Sequence, residues 1–190
     1  AGAVFLGKRK KITHDPANVP YIILGTGLLW FGWFGFNAGS ALAANADAVI
    51  AFANTNIASA TAMITWMFYE RFRNRKMSAV GACIGAIVGL VAITPAAGFV
   101  TISQSIFIGF VAAITSNLAI SWFSKTGIDD TLDVFPSHGV GGIVGMLLTA
   151  VFAKDVGLIH GETATFMWHI ITLIGVSIFT FAGSLTLYKI

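Results

Sequence analysis

Six long apolar blocks, separated by short polar stretches, run along the chain at about residues 20–39, 48–69, 78–97, 102–123, 134–153 and 165–187. Each is close to the roughly 20 residues that a helix needs to cross a hydrocarbon core about 30 Å thick. Membrane β-strands would be about half as long and would alternate in hydrophobicity. The pattern therefore predicts an all-α polytopic membrane helix bundle with six transmembrane helices in one domain, residues 1–190.

The composition supports this class. Of the 190 residues, 56% are hydrophobic and 10% are charged, whereas an ordinary soluble domain carries about 25% charged residues. A net charge of +3 does not indicate a nucleic-acid partner, because the basic residues are confined to short clusters between apolar blocks. The single cysteine, Cys83, excludes an intrachain disulfide, and no Cys/His spacing predicts a metal. We expect no cofactor.

Basic residues predict the orientation, since positively charged short loops stay on the cytoplasmic side. Of the 11 Lys and Arg residues, all but Lys154 fall before the first block or after the second, fourth and sixth. Both ends of the chain are therefore predicted to be cytoplasmic. The chain opens on the tail of an apolar segment and stops as the sixth block ends, so we expect it to be part of a larger bundle with an earlier span and a C-terminal tail.

The stretch from Gly32 to Ser40 combines three aromatic rings, an amide and a hydroxyl near the outer end of the first block. Aromatic faces attract cations, and a hydroxyl accepts hydrogen bonds from N–H groups. The stretch is therefore a candidate cation site. The alternative is an ordinary interfacial aromatic belt, because Trp and Phe favour membrane boundaries.

His138 is the strongest functional candidate among the polar residues inside the spans. It lies one to two turns into the fifth block and is followed by Gly139. An imidazole among residues with little side chain could exchange protons with a cavity. The alternative is a structural histidine bonded to a neighbouring helix. His14 and His160 are predicted to lie in loops.

Three aspartates, Asp129, Asp130 and Asp133, precede the fifth block. Carboxylates there can cap free N–H groups and complement the helix dipole, so we predict a structural helix cap rather than a direct transport role. Gly81, Gly85 and Gly89 recur at four-residue spacing, which predicts close helix packing.

Several of these segments together resemble the ammonium transporter family (Amt/Mep/Rh), in matching order and spacing. They are Gly32–Ser40, the segment from Asp133-Val134-Phe135 through His138-Gly139-Val140 to Gly145, the turn Gly7-Lys8-Arg9, residues 81–91, Thr94-Pro95-Ala96 and Asp129-Asp130. The resemblance covers nearly the whole chain. It implies the second half of an eleven-helix protomer, with the end of the fifth span at residues 1–7 and spans six to eleven after it. In the family, two inverted halves enclose a pore, and protomers form homotrimers in the cell membrane.

The resemblance also implies site roles. Ser40 would help to form the outer recruiting site, Phe36 would be one of two stacked rings gating the pore, and Trp33 would line the conduit. His138 would be the second of two bonded pore histidines, whose partner lies outside this chain. Pro136-Ser137 departs from many relatives and is expected to alter how the helix begins while leaving the imidazole in register.

The implied function is transmembrane transport of ammonium or ammonia, with methylammonium as an analogue, and not enzyme catalysis. Aromatic recruitment, deprotonation and a pore histidine would be its steps, and either net charge transport or passive ammonia conduction fits them. The alternative is an ammonium sensor of the same fold. A soluble nitrogen-signalling regulatory protein is an implied partner. A serine hydrolase is disfavoured because no Gly-x-Ser-x-Gly elbow surrounds Ser40, and a potassium channel because the Thr-Val-Gly-Tyr-Gly filter is absent.

Overall fold

The structure, a computed structural model, describes residues 1–10, 16 and 18–190, and these residues form helices and connecting turns without a strand. Lys11 and His14 lie outside the described residues. The all-α membrane bundle predicted from the sequence is confirmed. Its helices are α1 Gly2–Leu6, α2 Val19–Gly39, α3 Ala46–Phe72, α4 Ala79–Ile93, α5 Ile102–Phe123, a π-helical segment Phe135–Val140 that continues into α6 Gly141–Phe152, and α7 Thr163–Lys189, with a 3-10 turn at Leu158–His160.

Polar side chains at the block boundaries fix where the helices begin. Asn18, Asn45 and Ser78 each accept a hydrogen bond from a backbone N–H in the first turn of the following helix, α2, α3 and α4 respectively. Thr101 and Gln104 form a reciprocal capping box at the start of α5. Such caps satisfy N–H groups that have no partner inside the helix. Helices α2 to α5 therefore begin at capping residues that lie next to the boundaries of the predicted apolar blocks.

The helices alternate in direction between two ends of the bundle, here named the Arg9 end and the Ser40 end. At the Ser40 end, the backbone N–H of Lys154 donates to the carbonyl of Phe99 at 2.8 Å and joins the α6–α7 loop to the α4–α5 loop. At the Arg9 end, Arg9 binds Asp129 and joins the loop after α1 to the loop after α5. Long-range contacts thus hold the loops at both ends.

Among the described residues, five helical segments are long and apolar enough to cross a membrane: α2, α3, α5, the π-helical segment with α6, and α7. Helix α4 is shorter, with 15 residues, because the chain leaves the helix at Ile93 and turns between Thr94 and Phe99. The apolar block predicted at residues 78–97 thus contains a helix and a turn. A sixth span remains a prediction.

Small residues allow α4 to pack tightly on α3. A Cβ added at Gly85 would meet Trp66 Cβ at 2.6 Å, and one added at Gly89 would meet the Ala58 carbonyl oxygen at 2.6 Å. Ala58 and Ala62 are fully buried in the same contact. The predicted close packing through glycines is confirmed at these positions. Helix α3 also packs extensively on α5, so α3, α4 and α5 form the centre of the bundle and α2 and α7 lie on its flanks.

Candidate functional site

Trp33 and Phe36 lie on the last two turns of α2, and their rings contact each other edge to face. Their ring centroids are 6.1 Å apart with an interplanar angle of 75°. The indole N–H of Trp33 donates to the Thr94 hydroxyl at 2.7 Å. Both rings line a hollow of about 360 Å³ with Leu28, Leu29 and Gly32. The hydrogen bond therefore ties an aromatic, apolar wall of α2 to the end of α4.

Ser40 lies one turn beyond Phe36, at the end of α2. Its hydroxyl donates to the Phe36 carbonyl at 2.7 Å, and the residue is exposed. Because a hydroxyl has two acceptor lone pairs, Ser40 Oγ can still accept an N–H donor. Ser40 and Phe36 line a cleft of about 600 Å³ at the Ser40 end.

Asn37 fastens α2 to α3 beneath this cleft. The residue is only 8% exposed, and its Nδ2 donates to the Thr55 hydroxyl at 2.9 Å. The Thr55 hydroxyl donates its proton to the Ala51 carbonyl at 2.6 Å, so it acts as the acceptor in its hydrogen bond with Asn37. The sequence indicates Asn37 only as the amide of the candidate cation site and Thr94 only as part of the segment Thr94-Pro95-Ala96, and it predicts neither hydrogen bond. The signal was present in each case, since both are polar residues within apolar blocks.

His138 lies in the π-helical segment Phe135–Val140. Pro136 contributes no N–H, and the next residue, Ser137, donates its N–H to the Asp133 carbonyl at 3.0 Å. A π-helical turn inside an α-helix is uncommon and frequently occurs at functional sites. The His138 side chain is exposed, and no described residue hydrogen-bonds its ring. The imidazole is therefore available on the surface of this bundle.

The structure does not bring His138 into contact with α2, but α2 and α6, the helix into which the His138 segment continues, both contact one turn of α4. Trp33 binds Thr94, and a Cβ added at Gly141 would meet Val91 at 3.6 Å. Val91 and Thr94 are three residues apart and so are neighbours on the helix surface. His138 precedes Gly141 in a segment that begins at the Arg9 end, so it lies closer to that end than the contact between Gly141 and Val91 does. From the Ser40 end, the order is Ser40, Phe36, Trp33 and His138.

The three aspartates take different roles in the described contacts. Asp130 accepts the N–H of Phe135, the first residue of the π-helical segment, at 2.7 Å. Asp129 binds Arg9 through two side-chain hydrogen bonds of 2.7 and 2.8 Å, and it also accepts the Arg9 backbone N–H at 2.9 Å. The hydrogen bond to Asp129 raises the pKa of Arg9 above its usual range. Asp133 has a left-handed backbone with φ 50° and donates its N–H to the Asp130 carbonyl.

Among the described residues, no three His, Cys, Asp or Glu side chains come together as ligands of a metal ion would. The groups that α2 presents are instead a hydroxyl, an amide and aromatic rings. Such groups accept N–H donors and attract cations. The fold and these groups define a polytopic helical membrane protein with an aromatic and polar face.

The chain belongs to the Ammonium Transporter Family, whose model matches residues 1–190. It is 51% identical over 167 residues to a protein named "Ammonium transporter" from Aquifex aeolicus, covering 85% of this chain and 40% of that one. The family is a transport family rather than an enzyme family. The predicted family and the expectation of a protein that is not an enzyme are confirmed.

Two solved structures share the fold. The crystal structure of Candida albicans Mep2 superposes with a TM-score of 0.88 at 38% identity, over 95% of this chain and 44% of that chain. A structure titled "Sensor Amt Protein" superposes with a TM-score of 0.75 at 29% identity, over 92% of this chain and 50% of that one. The chain thus spans about two fifths to one half of the length of these relatives.

Proposed function

We propose that the complete protein carries ammonium or ammonia across a membrane, along a path marked by Ser40, Phe36, Trp33 and His138. The observation that supports this most is the order of these side chains. Two separate helices, α2 and the π-helical segment with α6, meet one turn of α4 at Thr94 and Val91. A solute arriving at the Ser40 end would meet an acceptor hydroxyl, then two aromatic rings, then an imidazole.

The chemistry of these groups suits ammonium. Ammonium and potassium carry the same charge, but only ammonium has N–H donors and can lose a proton. The Ser40 hydroxyl accepts an N–H, and each aromatic face contributes about 0.5–2 kcal/mol to cation binding. Moving an intact ion through an apolar conduit is costly, whereas neutral ammonia avoids most of that cost. Deprotonation near Phe36 therefore separates ammonium from potassium.

His138 is the group proposed to handle protons along this path. An exposed imidazole beside a small residue, Gly139, can accept or return a proton. If it relays the proton, net charge crosses the membrane. If the proton stays outside, only ammonia crosses. Both routes use the same residues of this chain.

The proposed transport function also suggests an oligomeric state and a membrane orientation for the complete protein. We place it in the cell membrane as a homotrimer, with the Arg9 end cytoplasmic because most Lys and Arg residues lie there. A soluble nitrogen-signalling protein would be its regulatory partner at that end. Sensing is the second candidate function, because a structure titled "Sensor Amt Protein" shares the fold at 29% identity.

The test is a transport measurement on the complete protein in proteoliposomes. Ammonium is expected to give an inward current or an ammonia-driven internal pH rise, while potassium gives neither, and labelled methylammonium should accumulate in cells. A current separates charge transport from passive conduction. Ammonium binding without current, pH change or methylammonium uptake would overturn transport and favour the sensor.

A further inference from the structure

Three charged residues line the cleft that holds Ser40. They are Asp47, Lys154 and Asp155, and the other lining residues are neutral. Asp47 belongs to the first turn of α3, and the other two follow α6. The sequence gives no reason to group them, since more than a hundred positions separate Asp47 from Lys154.

The α6–α7 loop is held over the cleft by the tertiary structure. The Lys154 N–H donates to the Phe99 carbonyl at 2.8 Å, and Phe99 also lines the cleft. Asp155 has a left-handed backbone with φ 65°, a conformation that non-glycine residues rarely adopt. A hydrogen-bonded, conformationally restricted loop thus brings Lys154 and Asp155 to the same opening as Asp47.

The cleft is also lined by an amide that can accept a hydrogen bond. Asn37 is 8% exposed and lines the cleft, and its Nδ2 is used by Thr55. Its Oδ1 makes no hydrogen bond with the described residues. An amide oxygen that lines the cleft without a partner can accept a hydrogen bond from a donor that enters it. A small cation with N–H groups fits this acceptor and the Ser40 hydroxyl.

We propose that Asp47 and Asp155 steer ammonium and alkylammonium cations into the Ser40 cleft and that Lys154 limits this attraction. The inference rests on the proposed transport function. The three charges sum to −1 at the opening, so a cation is concentrated there while neutral ammonia is not. Potassium is attracted equally, and it is then rejected where N–H donors are required. The charges therefore set the rate of arrival, and the acceptors below them set the selection.

The experiment compares salt dependence in three forms of the complete protein: unchanged, D47N with D155N, and Lys154→Gln. Methylammonium uptake is measured over substrate concentration at low and high ionic strength. Steering predicts that D47N with D155N raises KM several-fold at low salt and that Lys154→Gln lowers it, with Vmax unchanged in both. The differences should shrink at high salt, since the Debye length falls from about 10 Å at 0.1 M to about 3 Å at 1 M.

Glu162→Gln is the matched control. Glu162 follows the same loop but does not line the cleft, and it accepts the Ala164 N–H at 2.8 Å through an oxygen that glutamine retains. Its KM should match the unchanged protein. Equal KM and equal salt dependence in all forms, with normal uptake, would overturn steering and leave transport intact. Absence of uptake in the unchanged protein would overturn both proposals.

Discussion

The indole N–H of Trp33 donates a 2.7 Å hydrogen bond to the hydroxyl of Thr94, 61 positions away in the chain. The Thr94 hydroxyl donates its own proton to the Leu90 carbonyl of α4 at 2.8 Å, so its oxygen can accept the indole N–H. The bond fixes the Trp33 ring beside Phe36 and attaches α2 to the last turn of α4.

Thr94→Val tests this attachment. Valine keeps the shape but removes the acceptor, so the Trp33 N–H loses its partner. Losing one such hydrogen bond costs about 1 kcal/mol, which corresponds to roughly a five-fold slower methylammonium uptake if the ring position limits the rate. Thr94→Ser retains the hydroxyl and should stay near the unchanged rate. With Trp33→Phe already present, Thr94→Val should add little, and fully additive losses would show that the bond does not position the ring.

His138→Ala and His138→Glu test the proton role. A general acid–base group typically raises the rate of a proton-transfer step by about 10²- to 10⁴-fold. If proton transfer limits transport, His138→Ala should therefore cut methylammonium uptake by about 100-fold. Glutamate places a charge in the path and should change discrimination, detected as a potassium current where the unchanged protein has none.

His160→Ala is the control for the histidine variants, since His160 lies in the 3-10 turn between α6 and α7 and does not line the described cleft. Its uptake and currents should match the unchanged protein. Unchanged methylammonium uptake in both His138 variants would contradict a pore role for this imidazole.

Arg9→Ala tests the contact between the two loops at the Arg9 end. The Asp129 side chain is only 8% exposed and would lose the two hydrogen bonds from the Arg9 guanidinium, a paired geometry that lysine cannot reproduce, while the backbone N–H of residue 9 remains a donor. Arg9→Ala and Arg9→Lys should both lower the melting temperature of the complete protein in detergent, with alanine lowering it more. Because the pKa of Arg9 is raised, its charge persists through alkaline pH and the loss should be the same at pH 7 and pH 9.

Lys10→Ala is the control for Arg9, because Lys10 is exposed and adjacent in the chain. It should leave the melting temperature unchanged. A melting temperature that falls equally in Lys10→Ala and Arg9→Ala would show that general positive charge, not the bond to Asp129, stabilises this end.

Gly89→Ala tests the contact between α3 and α4. The added Cβ would approach the Ala58 carbonyl oxygen and Ser59 Cα at 2.6 Å, and neither backbone atom can move alone. Overpacking of this kind typically costs about 1–3 kcal/mol. Gly175→Ala is the control, because no described atom lies within 4 Å of its added Cβ. Unfolding in denaturant should show a lower free energy for Gly89→Ala only, and equal stability of the two variants would contradict the packing.

The prediction of helices succeeded because it depends on local properties. Apolar runs of about 20 residues, and polar caps such as Asn18 and Ser78 directly before them, can be recognised from neighbouring positions in the sequence. The sequence missed the short length of α4 and the π-helical start of the His138 helix, because both arise where segments pack against neighbours. Hydropathy continues through Thr94–Phe99 although the backbone turns there.

By itself, then, the sequence determined the all-α membrane class and the family, and it supplied the candidate residues of the proposed path, since each rests on composition or on short local motifs. Only the tertiary structure decided that Trp33 binds Thr94, that Arg9 binds Asp129, and that Asp47 shares a cleft with Lys154. These pairs are 61 to 120 positions apart. Their meeting depends on how glycine and alanine surfaces let α3, α4 and α5 approach, and no local pattern of residues encodes that geometry.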